Sequence, residues 1–279
     1  MTASSPASSP TPRPVQLSLR RIWAMLLRHL YLFRASWPRL FDLIYWPTVQ
    51  LVMWGFLQVF LATESSFFAQ TAGLFIGAVL LWDILFRAQL GFAISFLEEI
   101  YSRNLGHLLA SPLRPFEFVI ALTAMSLIRV LIGLLPVTFL AMWFFGFNVY
   151  SMGLWLVAFF FNLVLTSWAF GLFVSGILLR FGLGAENIAW SLMFLMLPLA
   201  CVYYPLDTLP PWLQYVSLSL APTHVFEGMR ALLLEGTVAP HYMLNALALN
   251  AVYFAVGSLS FAWFLNDARH RGTLVGMGE

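Results

Sequence analysis

Residues 98–118 read EEIYSRNLGHLLASPLRPFEF. Glu98, Glu99, Arg103, Arg114 and Glu117 crowd into this stretch with His107, in a 279-residue chain that is only 9% charged. Apolar runs flank it at 71–97 and 116–146. A membrane-crossing helix needs about 20 apolar residues, and each flanking run is long enough. The stretch therefore reads as a polar connection between two spanning helices. Its side of the membrane, and what it meets there, follow from the rest of the chain.

The composition is that of an integral membrane protein. Hydrophobic residues make up 61% of the chain and the mean hydropathy is +0.85. A soluble domain is nearer half apolar and a quarter charged, and one core of this size cannot hide so much apolar surface. Six apolar runs stand out, near 41–62, 71–97, 116–146, 152–180, 186–205 and 241–265. They are continuously apolar, without the alternation of a lipid-facing barrel strand. The expected fold is all-α, with six transmembrane helices in a single transmembrane domain over 17–279.

Arginine placement orients the helices. The chain has no Lys, so its basic residues are all Arg. With the N-terminus in the cytoplasm, Arg13, Arg20, Arg21, Arg28, Arg34, Arg39, Arg103, Arg114, Arg180, Arg269 and Arg271 fall inside. Arg230 alone falls outside, and Arg87 and Arg129 lie within spans. This positive-inside bias puts both termini and the 98–115 connection in the cytoplasm. The segment 1–16 is rich in Ser and Pro, lacks the apolar core of a signal peptide, and reads as a disordered cytoplasmic tail.

Two segments are neither spans nor simple loops. Over 17–38, Arg20, Arg21, Arg28 and Arg34 fall within an arc of roughly 140° on a helix. Ile22, Trp23, Leu26, Leu30 and Phe33 take the opposite face. An amphipathic helix in the headgroup layer fits this pattern, as does a helix packed on a partner. The segment 205–236 is semi-apolar and broken by Pro205, Pro210, Pro211 and Pro222. Its pieces are too short to span, so they either dip into the membrane against protein or lie flat as an outer loop.

Chemistry-bearing motifs are few. The lone Cys201 excludes an internal disulfide, and the five His residues are scattered without H-E-x-x-H spacing. No G-x-S-x-G elbow occurs. A net charge of +2 gives no nucleic-acid surface. A phosphate-binding loop needs the Lys of G-x-x-x-x-G-K-[ST], which this sequence cannot supply. Asp83 and Arg87 sit one helical turn apart within the second span, with Arg129 in the third as a further partner. They form either a structural ion pair or a polar patch in a transport path. Tyr203, Tyr204, Trp212 and Tyr215 form either an interfacial belt or an outer gate for an amphipathic or sugar-bearing substrate.

The connection carries Arg103, Gly106, Leu109, Ser111, Pro112, Leu113, Pro115 and Glu117, and in this it resembles the cytoplasmic insert of type-2 ABC-transporter permeases. Pro205, Leu209, Pro210, Trp212 and Leu213, followed by Pro222, Thr223, Glu227, Gly228 and Arg230, are similar to that family's outer segment. The six-span plan matches over nearly the whole chain. The resemblance implies a non-catalytic subunit of an ABC exporter in the inner membrane. It implies a second copy of the chain and two copies of an ATPase subunit as partners, with ATP and Mg on the ATPase and no cofactor here. It implies a coupling helix near 98–112 that docks into the ATPase through Glu99, Arg103, Leu105, His107, Leu108, Leu109 and Arg114. It also implies re-entrant helices over about 205–236, and a drug, lipid or glycan as substrate. The rival reading is an ion-gradient-driven secondary transporter built on Asp83 and Arg87.

Overall fold

The computed structural model describes residues 18–64 and 73–271. The expected tail over 1–16 lies outside them. The described secondary structure is helical throughout: α1 (Leu19–Arg34), α2 (Trp37–Glu64), α3 (Leu74–Tyr101), α4 (Leu105–Ala110), α5 (Pro115–Phe145), α6 (Leu154–Phe181), α7 (Glu186–Leu199), α8 (Pro211–Leu218), α9 (Ala221–Glu235) and α10 (Pro240–Arg271), with short 3-10 turns between.

Five of these, α2, α3, α5, α6 and α10, are long and apolar enough to cross a membrane. They match five of the expected runs within a few residues, except that α10 continues to Arg271. The run expected over 186–205 behaves differently. Its helix α7 stops at Leu199 after 14 residues, a length of about 21 Å against a hydrocarbon core of about 30 Å. Pro198 lies in its last turn, and Cys201 takes a left-handed φ of 52° that reverses the chain. The freed carbonyls are capped from a distance. Arg230 on α9 donates to Cys201 O at 2.6 Å and Val202 O at 3.3 Å. Glu227, one turn earlier, accepts from Leu206 N at 2.9 Å and from Arg230 at 2.8 Å. The arginine read as the outer exception is thus buried and builds this turn.

Helix α3 is the axis of the bundle. In its most apolar window 83% of residues are buried, against 17% for α2 and α10. Leu80, Leu81, Ile84 and Leu85 pack with Phe159 and Leu163 of α6 and with Phe226 and Met229 of α9. Toward its C-terminus, Phe92 and Phe96 meet Phe118 of α5, Leu178 of α6 and Phe261 of α10. The fragments α8 and α9 are the short helices expected from the prolines, and the first three turns of α9 are buried against the bundle.

Apolar side chains alone do not draw helices together in lipid, so close backbone approach and buried hydrogen bonds supply the specificity. Between α6 and α10, Asn250 donates to Asn162 O at 2.9 Å and accepts from Thr166 Oγ1 at 2.6 Å. A Cβ on Gly257 would lie 2.5 Å from Ala169 O, so the two backbones touch there. Ser126 of α5 donates to Ala88 O of α3 at 3.0 Å and accepts from Trp168 Nε1 at 3.0 Å.

The Gly257 contact predicts that Gly257→Ala destabilises the protein by about 1–3 kcal/mol, the usual cost of overpacking. Gly184→Ala, where a Cβ meets nothing within 4 Å, is the control. Thermal unfolding in detergent measures both, and equal effects at the two sites would contradict the tight α6–α10 crossing.

Candidate functional site: a carboxylate base and an aromatic chamber

The connection at 98–118 resolves into three parts. Helix α3 runs on through Glu98 and Glu99 to Tyr101. Arg103 then turns the chain with φ of 51°. The six-residue α4 follows, and Ser111 and Pro112 lead to α5, which starts at Pro115. The helix expected over 98–112 is therefore shorter, because the two glutamates belong to the preceding span.

Those glutamates face inward. Glu99 and Glu117 are fully buried and Glu98 is nearly so. Each carboxylate has basic partners from elsewhere in the chain. Glu117, at N3 of α5, accepts from Arg21 Nε at 2.8 Å and Nη2 at 2.6 Å. It also accepts from Ser18 N at 2.9 Å and Arg114 N at 3.1 Å, so it caps its own helix and the start of α1 together. Glu99 accepts from Arg28 Nε at 3.1 Å and Nη2 at 3.0 Å, and from Asn104 Nδ2 at 2.9 Å. Glu98 takes Arg39 at 2.8 Å and Arg129 at 3.1 Å. His29 is buried between the last two carboxylates, 3.6 Å from Glu98 and 3.7 Å from Glu99. The bond to Glu117 raises the Arg21 guanidinium above its ordinary pKa, so this end of the lattice stays charged.

This lattice corrects several expectations. Two of the four α1 arginines, Arg21 and Arg28, pair with carboxylates of the bundle. Ile22, Met25, Leu26, His29 and Phe33 bury the inner face of α1, whereas Trp23, expected with them, is exposed. Glu99 and Leu105 are buried within the chain rather than displayed on its surface. Of the remaining proposed docking residues, Arg103 and His107 are exposed, and Leu108 and Arg114 are half-buried. Leu109 shares α4, but its side chain lies outside the described part of the structure. Arg129 does not join Asp83 and Arg87. It bonds Glu98 and lies over the Phe33 ring, 5.4 Å from its centroid.

Next to the lattice, α2, α3 and α7 enclose a chamber of about 600 Å³. Its walls are aromatic, with Trp46, Trp54, Trp82, Phe86, Trp190 and Tyr203 among them. Tyr203 stacks on Trp54 at 4.1 Å. Asp42, Leu43, Ile94 and Arg129 also line a second cavity of about 410 Å³, bounded by Arg39, Glu98 and Glu186. This vestibule adjoins both the carboxylate base and the chamber. At its edge the Tyr101 hydroxyl donates to Glu186. Asp83 and Arg87 form the expected ion pair, with Asp83 Oδ1 3.9 Å from Arg87 Nε. Arg87 lines the chamber. Of the four residues proposed as an outer gate, only Tyr203 does so. Tyr204 donates to Pro198 O at 2.6 Å, and Trp212 and Tyr215 are largely exposed on α8.

The chamber was not visible in sequence, because its aromatics come from three helices and each looks like a lipid-facing or belt residue. The lattice left one usable signal. Glu98 has no basic residue three or four positions away on its apolar helix, so its partners had to lie elsewhere.

If the carboxylates anchor α1, truncating one partner should cost more than removing both, because a lone buried carboxylate has no compensation. Arg21→Ala is expected to lower stability more than the double variant Arg21→Ala/Glu117→Gln. The four stabilities should therefore be clearly non-additive. Thermal unfolding of the four forms measures this, and hydrogen exchange at α1 amides should rise in the single variant. Strict additivity would mean that α1 is held by its apolar face alone.

Among curated proteins none matches this sequence. A sequence profile described as ABC-2 type transporter matches residues 20–234, from α1 to the end of α9. Covering more than three-quarters of its length, that match shows that the chain is a multi-pass permease component and belongs to the ABC-2 type transporter family.

Proposed function

We propose that the chain is the membrane half of an ATP-driven exporter in an inner membrane, working as a pair of identical permeases on two ATPase subunits. The observation that carries this reading is mechanical. The exposed elbow of Arg103 and α4 sits on the ends of α3 and α5, whose terminal carboxylates hold α1. Force applied at the elbow enters α3, the most buried helix, which also forms a wall of the chamber. A closely packed helix moves as a rigid body, so a push at one end is delivered to the chamber wall.

Both termini lie in the cytoplasm in this reading, with Arg103, Arg114, Arg180 and Arg269 at the same end. Arg180 bonds Asp267 at 2.9 Å, which supports putting the ends of α6 and α10 on one side. An even number of crossings follows. The short α7, its Arg230-capped turn and the buried fragment α9 together make the sixth, and α8 and α9 act as re-entrant helices. The vestibule and chamber then form the substrate path, opening toward the second copy. ATP is handled by the separate subunit, since this sequence has no Lys for a phosphate-binding loop.

Gentle affinity purification of the tagged chain from its own membrane is expected to recover a P-loop ATPase in near-equimolar amount. The variant Arg103→Glu/His107→Glu should lose most of that ATPase while keeping the unfolding temperature of the unaltered chain. A homo-oligomer with no ATPase, under conditions that preserve complexes, would overturn the reading.

A further inference from the structure

Arg87 is more than nine-tenths buried and lines the aromatic chamber, yet its charge is poorly engaged. Its Nε has no hydrogen-bond partner. The nearest carboxylate oxygen, Asp83 Oδ1, is 3.9 Å from that nitrogen, too far for a hydrogen bond. Neither oxygen of Asp83 finds a donor. A guanidinium carries five donors in a planar fork, and a donor left unmet away from water is costly. The site is also built to hold this side chain. A Cβ on Gly133 of α5 would lie 2.8 Å from Leu43 O and 3.2 Å from Arg87 Cδ, so the α2 backbone and the Arg87 stem both pack closely against this glycine.

The other charges nearby do not compete for the same ligand. Arg129 already bonds Glu98 at 3.1 Å. Asp42 also lines the chamber and acts electrostatically on Arg87, but it is exposed, where water screens it more than the buried fork. Asp83 does not line the chamber. The buried polar group offered to an occupant is therefore a cationic fork, surrounded by Trp54, Trp82, Phe86 and Trp190.

We propose that the chamber binds an anionic amphiphile, its carboxylate, phosphate or sulfonate head on Arg87 and its apolar body between the tryptophans. An oxyanion matches the fork with two parallel hydrogen bonds, which neither an ammonium nor a sugar hydroxyl can do. The chamber volume lies in the usual range for small-ligand sites. The inference rests on the assignment of the chamber to the transport path and names the substrate class for it.

The test uses the tagged full chain in nanodiscs of neutral lipid and the quenching of its tryptophans by three bromododecyl probes, carrying a phosphate, a trimethylammonium or a maltoside head. The phosphate probe is expected to quench saturably and to bind about tenfold more tightly than the others. That advantage should vanish in Arg87→Gln and return in part in Arg87→Lys, which restores the charge without the fork. Because Arg87→Gln leaves Asp83 alone, the double variant Asp83→Asn/Arg87→Gln supplies a neutral, foldable form that should show the same loss. Equal or tighter binding of the trimethylammonium probe, or unchanged phosphate binding in the double variant, overturns the anionic class and leaves the chamber as a binding site. No saturable quenching by any probe removes the chamber itself. Tight phosphate binding without recovery of an ATPase would instead count against the exporter reading alone.

Discussion

Two fully buried carboxylates, Glu99 and Glu117, and the nearly buried Glu98 set the terms for this end of the molecule. An ionised carboxylate away from water is tolerated only with cations and donors in close geometry. Each of the three finds them on a segment distant in sequence: Arg21 and Arg28 on α1, Arg39 at the start of α2, and Arg129 on α5. The same bonds that neutralise the charges therefore fix where α1 lies. They also join the ends of α3 and α5 on either side of the α4 elbow. The same pairs thus anchor α1 and tie the two helix ends together, because an ion pair with bidentate geometry resists both separation and rotation.

A second constraint comes from lipid as a solvent. Apolar surface is equally content against acyl chains or another helix, so the bundle is specified by close approach and buried polar bonds. Gly257 against Ala169, and Asn250 against Asn162 and Thr166, do this for α6 and α10. Arg230 and Glu227 do it for the turn after α7, where the backbone leaves helical geometry. Buried irregular backbone needs donors from neighbouring elements, and a buried arginine on α9 supplies them.

The chamber arises from the same geometry. Helix α7 is short and α3 is central, so the space between them and α2 is left to aromatic rings and two arginines, of which Arg129 is already paired with Glu98. The Asp83–Arg87 pair lies at the back of that space, longer than a hydrogen bond, with donors still to satisfy. Charge that is costly to bury is here neither well paired nor removed. In a transport path such a group is the place where an occupant gains most by supplying the missing partner.

Much of this was legible in the chain of residues. Length and continuity of the apolar runs determine five of the helices, since about 20 apolar residues can satisfy their backbone in lipid only as a helix. Proline positions determine that 205–236 breaks into short pieces, and the i,i+4 spacing determines that Asp83 and Arg87 meet. The ABC-2 membership was readable from the elbow and the outer segment together. Tertiary structure alone decided which polar residues face one another over separations such as that between Arg21 and Glu117. It moved Glu99 and Leu105 from a docking surface into the core, separated Arg129 from Asp83, ended α7 at Leu199, and assembled tryptophans of three helices into one wall. Sequence periodicity reports which residues share a face of one helix. Which face meets which depends on how the helices pack, and no single helix carries that information.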